Sequence, residues 1–228
     1  MSDGGGSGVD LLAMVIKGGW VMYPIVILSV ASITLFIERS IVLLVQNFKL
    51  KPEKFIKMFE EAFERNNKDK KKTVEELIPI VQKRGGVCAE IVSAAMEKYL
   101  DGTAKNLSPV DLKQWMNHAA ESRATVEIAT LENRLGWLAV FSNVATLMGL
   151  FGTVYGMIES FAAMANSPGG VKADEMAGGI AIALVATLFG LVVAIPSLML
   201  YNLLKGIIEG YVLKIEDATN VAIDYLLS

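Results

Sequence analysis

Three stretches of this chain carry no charged residue: Gly18 to Ile37, Leu135 to Ile158 and Met176 to Leu204, of 20, 24 and 29 residues. A helix crosses the hydrocarbon core of a bilayer with about 20 apolar residues. Each stretch is therefore long enough to span. None contains Asp, Glu, Lys or Arg. A membrane chain of this kind that moves ions has no buried carboxylate of its own and must borrow one.

Charge is segregated to match. The 228 residues are 53% hydrophobic with a net charge of -3, only modestly more apolar than a soluble average. Sixteen of the 21 Lys and Arg lie between Lys49 and Arg134, whereas the loop at 166–175 has only Lys172 and the segment before the first span only Lys17. Positive residues near span ends favour the cytoplasm, so the N-terminus is expected outside, with the large loop and the C-terminal tail inside. The near-neutral balance leaves no footprint for nucleic acid. The single Cys88 excludes an intrachain disulfide and suits a reducing compartment. Met1 to Gly8 lacks the basic n-region of a cleavable signal peptide and is expected to add nothing to the fold.

These signals predict an all-α membrane protein: three transmembrane helices with long helical cytoplasmic extensions. The expected segments are an outer N-terminus with a short amphipathic helix (1–17), a first span (18–46), a cytoplasmic helical domain (47–134), a second span (135–165), an outer loop (166–176), a third span (177–204) and a cytoplasmic helix (205–228). Within the domain, Phe55, Met58, Phe59 and Phe63 recur at helical spacing. Thr73-Val-Glu-Glu has a capping-box pattern, and a third helix is expected from Val87 to Leu100. Ser108-Pro109 opens a helix with Asp111 in its first turn. With only Gly136 as a permissive point, that helix is expected to run unbroken into the second span for over 50 residues. The tail is expected to group Ile207, Ile208, Tyr211, Ile215 and Ala218 on one side.

At 100° per residue, Asn143, Thr146, Thr153 and Ser160 share one sector of the second span, with Gly149, Gly152 and Gly156 thinning the helix nearby. Ala183, Thr187, Gly190, Ala194 and Ser197 share a sector of the third. Two readings fit these weakly polar stripes. Small residues let membrane helices pack closely, with hydroxyls bonding back to their own backbone. Alternatively the stripes face a lumen whose hydroxyls hydrate or coordinate a passing ion.

Phe151-Gly152-Thr153-Val154-Tyr155-Gly156-Met157-Ile158, followed by Phe161, resembles the second-span signature of the MotA/TolQ/ExbB ion-channel family. Gly178 to Pro196 with Tyr201-Asn202 is similar to its third-span signature. Gly19, Met22, Pro24 and Glu38-Arg39 agree in the first span. Three spans with a cytoplasmic domain after the first resemble the ExbB/TolQ branch. The resemblance implies an inner-membrane subunit of a homopentameric ring, threaded by a single-span partner of ExbD or TolR type that carries a membrane Asp, with a TonB- or TolA-like protein beyond. The ring would couple proton motive force, or sodium motive force, to mechanical work on the envelope. Such an Asp in an apolar pore prefers to be neutral, and hydroxyls or water would stabilise its ionised form. No cofactor is implied beyond the translocated ion, H+ by default with Na+ open.

Carried over by position, Thr153 and Thr187 match the family's ion-path threonines. Thr146 stands where many relatives have Pro, and Ile182 where many have Glu. Asn143 and Thr146 complete the expected ion pathway. Glu159 at the outer end of the second span is either a snorkelling interfacial carboxylate or a group that gathers cations at the ion entrance. Glu38 and Arg39 are expected to form a charge pair at the inner interface. His118 has no Cys or His at ligand spacing, so no metal site is expected. No nucleotide-binding loop or nucleophile-base set is present in the pattern, and enzymatic turnover is not expected. The rival readings are a structural membrane scaffold and a small-solute carrier, the latter disfavoured by the lack of repeats and broken helices.

Overall fold

The computed structural model describes residues 19–48, 50–165 and 173–228. The amphipathic piece expected within 1–17 and most of the outer loop, including Lys172, lie outside the described residues. Seven helices follow in order among those described: α1 (Met22–Phe48), α2 (Pro52–Arg65), α3 (Lys70–Arg84), α4 (Val87–Ala104), α5 (Pro109–Glu132), α6 (Gly136–Ala165) and α7 (Ala173–Leu227). No strand occurs among them. Three helical stretches, containing α1, α6 and α7, are long and apolar enough to cross a membrane. The chain is an all-α membrane protein that divides into two compact units.

The first unit holds the described residues up to Ile37 and the run from Arg134 to Asn202. Its outer surface is apolar: Ile27, Val30, Leu147, Leu150, Leu184 and Met199 are all exposed. This inverts a soluble protein and follows from a lipid solvent, which gives apolar side chains no reason to turn inward. What the α6–α7 contact buries is mostly small. Gly149 and Gly152 of α6 and Ala183, Ala186 and Ala194 of α7 lie at the contact. Val21, Met22 and Ile25 of the first span close over Ala186, with Met148, Phe189 and Val193 packed around them.

The second unit comprises Glu38–Asn133 and Leu203–Ser228, and it has an ordinary hydrophobic core. Phe55, Phe59 and Phe63 of α2 are buried, and Tyr225 of α7 packs on the last two at ring distances of 5.9 and 5.6 Å. From α4, Cys88, Ile91, Val92, Ala95, Met96 and Tyr99 fill the centre, joined by Leu112, Met116 and Ala120 of α5. Ser108 caps α5, its hydroxyl accepting from the Asp111 amide at 3.2 Å. At Gly102 on α4, a Cβ would come within 2.4 Å of Leu112 Cδ1, so a larger residue there would require the Leu112 side chain of α5 to shift.

Four helix readings change. The helix from Pro109 does not run on: α5 stops at Glu132, Asn133 turns to ψ 134° and Arg134 takes a left-handed φ of 66° before α6 begins. Asn is among the residues that most readily leave helical geometry. Thr73 does not cap; Asp69 does, accepting from the Lys72 amide. The Thr73 side chain is instead fully buried and donates to the Asp69 carbonyl at 2.8 Å. The α4 helix continues past Leu100 to Ala104, carrying Asp101-Gly102 within it. On the tail, Ile207 is 48% exposed, and the buried face runs through Leu204, Ile208, Ile215, Ala218 and Ala222.

Candidate ion path

The α6–α7 contact is a seam of glycine and alanine. A Cβ on Gly190 would lie 2.7 Å from the Ala145 carbonyl oxygen and 2.9 Å from Gly149 Cα, so these two backbones touch. Two turns further along, Gly156 meets Ala183, where an added Cβ would come within 2.8 Å. Trp20, just before α1, packs on α6 with its ring 5.8 Å from both Phe151 and Tyr155 in edge-on geometry. Small residues are what membrane helices use for close approach.

The span-three stripe is this packing face. Thr187 donates to the Gly149 carbonyl at 2.8 Å. Ala194 offers its carbonyl to Ser142 of α6 at 2.7 Å. Ser197 meets Ser32 of α1 at 2.6 Å, and because Ser197 donates to the Val193 carbonyl, Ser32 is the donor in that pair. Of the span-two stripe, Ser160 packs against Gly179 of α7, whereas the rest lies to one side of that face. Asn143 and Thr146 are exposed and Thr153 is half-buried, while the α6 face against α7 is Ser142, Ala145, Gly149 and Gly152. Asn143 and Thr146 do not face the span-three stripe within the subunit. Ser32 and Ser142 escaped the sequence reading because nothing within their own helices sets them apart from neighbouring hydroxyls such as Ser29, Thr34 and Thr146; only a partner on another helix marks each.

The hydroxyls share one property. Thr146 donates to the Ser142 carbonyl at 3.0 Å, Thr153 to Leu150 at 2.7 Å and Ser160 to Gly156 at 2.8 Å. Each O–H, that of Thr187 included, is committed to a backbone carbonyl. A hydroxyl so engaged keeps its oxygen lone pairs and presents only acceptors to its surroundings. Glu159 is exposed near the end of α6. Ile182 is 40% exposed on α7. In the second unit, Glu38 pairs with Arg39 at 2.9 Å, and the Arg39 side chain is only 10% exposed. Its Nε has no hydrogen-bond partner among the described residues. His118 is exposed on α5.

Three spans, a glycine seam and acceptor-only threonines define a multi-pass membrane protein whose second and third spans form one packed pair. Residues 85–217, more than half of the chain, match the model of the MotA/TolQ/ExbB proton channel family. The chain belongs to that family. It is 30% identical over 150 residues to the biopolymer transport protein ExbB of Pseudomonas putida, covering 66% of this chain and 45% of that one. Over 79 residues it is 44% identical to the Tol-Pal system protein TolQ of Haemophilus influenzae, covering 35% and 34%. Over 84 residues it is 42% identical to the ExbB of Aquifex aeolicus, covering 37% and 55%. The matched stretches thus span about half or less of these relatives' own length.

Proposed function

We propose that this chain is an ion-conducting ring subunit of a bacterial inner-membrane motor that couples proton motive force, or sodium motive force, to mechanical work on the envelope. It works as a homopentamer around a single-span ExbD/TolR-like partner that brings the membrane Asp, and passes work to a TonB/TolA-like protein, as in biopolymer import. The N-terminus is periplasmic, and the large loop and C-terminus are cytoplasmic. Thr153 and Thr187 carry the ion path with Asn143 and Thr146 beside them, and Glu159 stands at the entrance. The ion is H+ by default, with Na+ as the alternative.

The observation that supports this most is the commitment of each threonine O–H to a carbonyl. Each oxygen keeps lone pairs able to accept, which suits a hydronium, a cation or the O–H of a protonated carboxyl. The uncharged spans leave the titrating acid to a second polypeptide. An Asp held in such a site would have a raised pKa, and one charge crossing 100 mV supplies about 2.3 kcal/mol.

The test replaces Thr153 and Thr187 by Val, singly and together, in cells carrying the partner gene. Ion-driven work should be lost while the complex still co-purifies. Normal work from both variants would exclude the ion path. Loss of the complex itself would favour the scaffold reading.

A further inference from the structure

We propose that the groove formed by Lys51, Pro52, Glu53, Gly206, Gly210 and Lys214 binds the phosphodiester headgroup of an anionic phospholipid. The cavity has a volume of about 340 Å³ and lies where the start of α2 meets the α7 tail. Gly206 and Gly210 stand four residues apart and so share one helix face. A Cβ on either would meet nothing within 4 Å. The floor of the groove is bare helix backbone with room above it.

The walls carry the charge. Lys214 pairs with Glu53 at 2.9 Å, whereas the Lys51 ammonium has no ion pair among the described residues. Two ammonium groups against one carboxylate leave one positive charge, which matches the single negative charge of a phosphodiester. The remaining lining is apolar or amphipathic: Ile207 and Tyr211. Leu203, one turn before Ile207, is exposed as well.

Chain position sets the ligand. Lys51 lies three residues beyond the end of α1 at Phe48, and Gly206 two residues beyond the uncharged stretch that ends at Leu204. Both walls therefore stand where the chain leaves the hydrocarbon, at headgroup level. Free phosphate shares the same chemistry, but a diester with acyl chains also uses the apolar rim. A protein helix laid over the glycine pair is the other conceivable occupant. Such a contact needs close, dry packing, and it would strip water from Lys51 without offering a partner.

The experiment uses the full chain in nanodiscs with the same lipid in both leaflets, so its outcome does not depend on the orientation proposed above. Retained lipid is measured by native mass spectrometry in phosphatidylglycerol against phosphatidylcholine. Wild type should retain phosphatidylglycerol about tenfold in preference. Lys51→Gln should lower that preference about fivefold, and Gly210→Leu should abolish it with no fall in melting temperature. Lys83→Gln, an exposed charge change elsewhere, should leave it intact. Equal losses from Lys51→Gln and Lys83→Gln would reduce the effect to bulk attraction and overturn the site. So would full retention in Gly210→Leu, or loss of self-association in that variant with lipid unchanged. Displacement of the lipid by millimolar inorganic phosphate would assign the groove to a soluble anion instead.

Discussion

Thr187 on α7 donates its hydroxyl proton to the carbonyl of Gly149 on α6 at 2.8 Å, across a seam where the two backbones are in contact. One side chain thereby ties two spans together and still has lone pairs to offer. Its packing role and its proposed ion role are separable by substitution.

Thr187→Val keeps the side-chain volume but removes the bond to Gly149. Interhelical hydrogen bonds in membranes average about 0.6 kcal/mol, so the variant should fold with a small loss of stability and no ion-driven work. Thr187→Ser keeps the oxygen and should retain most activity. Parallel measurement of detergent melting and of ion-dependent function checks both, and equal activity in Val and Ser would refute the role of the oxygen.

Gly190→Ala should be far more disruptive than its size implies. The new Cβ would press on the Ala145 carbonyl and Gly149 Cα, which are backbone and cannot swing away. Overpacking costs about 1–3 kcal/mol, and the melting temperature should drop accordingly. Gly178→Ala, where a Cβ would meet nothing within 4 Å, is the matched control and should be neutral.

The Ser32–Ser197 pair joins α1 to α7 at 2.6 Å with both side chains buried. Ser197→Ala should destabilise the unit by roughly 1 kcal/mol, because it strands the buried Ser32 hydroxyl, whereas Ser32→Ala should cost less because Ser197 keeps its bond to the Val193 carbonyl. The double variant should lose less than the sum of the two. A double-mutant cycle read by unfolding in mild detergent measures the coupling, and strict additivity would mean the pair is not formed.

Cys88 is wholly buried, and desolvation pushes its thiol up to about 12 from an ordinary 9.0. The folded thiol therefore holds its proton more tightly than the unfolded one. The stability it contributes is complete below pH 9 and is lost as pH rises through about 12. Alkylation of the native protein at neutral pH should be very slow and should accelerate only on unfolding. Rapid labelling without unfolding would contradict the burial. Topology is then better probed with Lys83→Cys on the exposed end of α3, which an impermeant reagent should reach only from the cytoplasmic side.

The spans were legible because an uncharged run of 20 or more residues has few other fates. The glycines of α6 and the small sector of α7 were visible too, but periodicity marks a face without naming what lies against it. Thr187, Gly190 and Ala194 turned out to meet α6, whereas Asn143 and Thr146 look away from α7. The break at Arg134 was hidden because neither Asn133 nor Arg134 forbids a helix. A left-handed residue there leaves no mark in local propensity. Ile207 and Ile208 are neighbours of equal hydrophobicity, and the stripe reading had no means to tell which one the core would take.

The seam between α6 and α7 is made almost wholly of residues that possess no rotamers. Gly149, Gly152, Gly156, Ala183, Ala186 and Gly190 have no χ angles to freeze, so zipping this hairpin forfeits almost no side-chain entropy. Adding the first span costs more, because Val21, Met22 and Ile25 must each be fixed against Ala186.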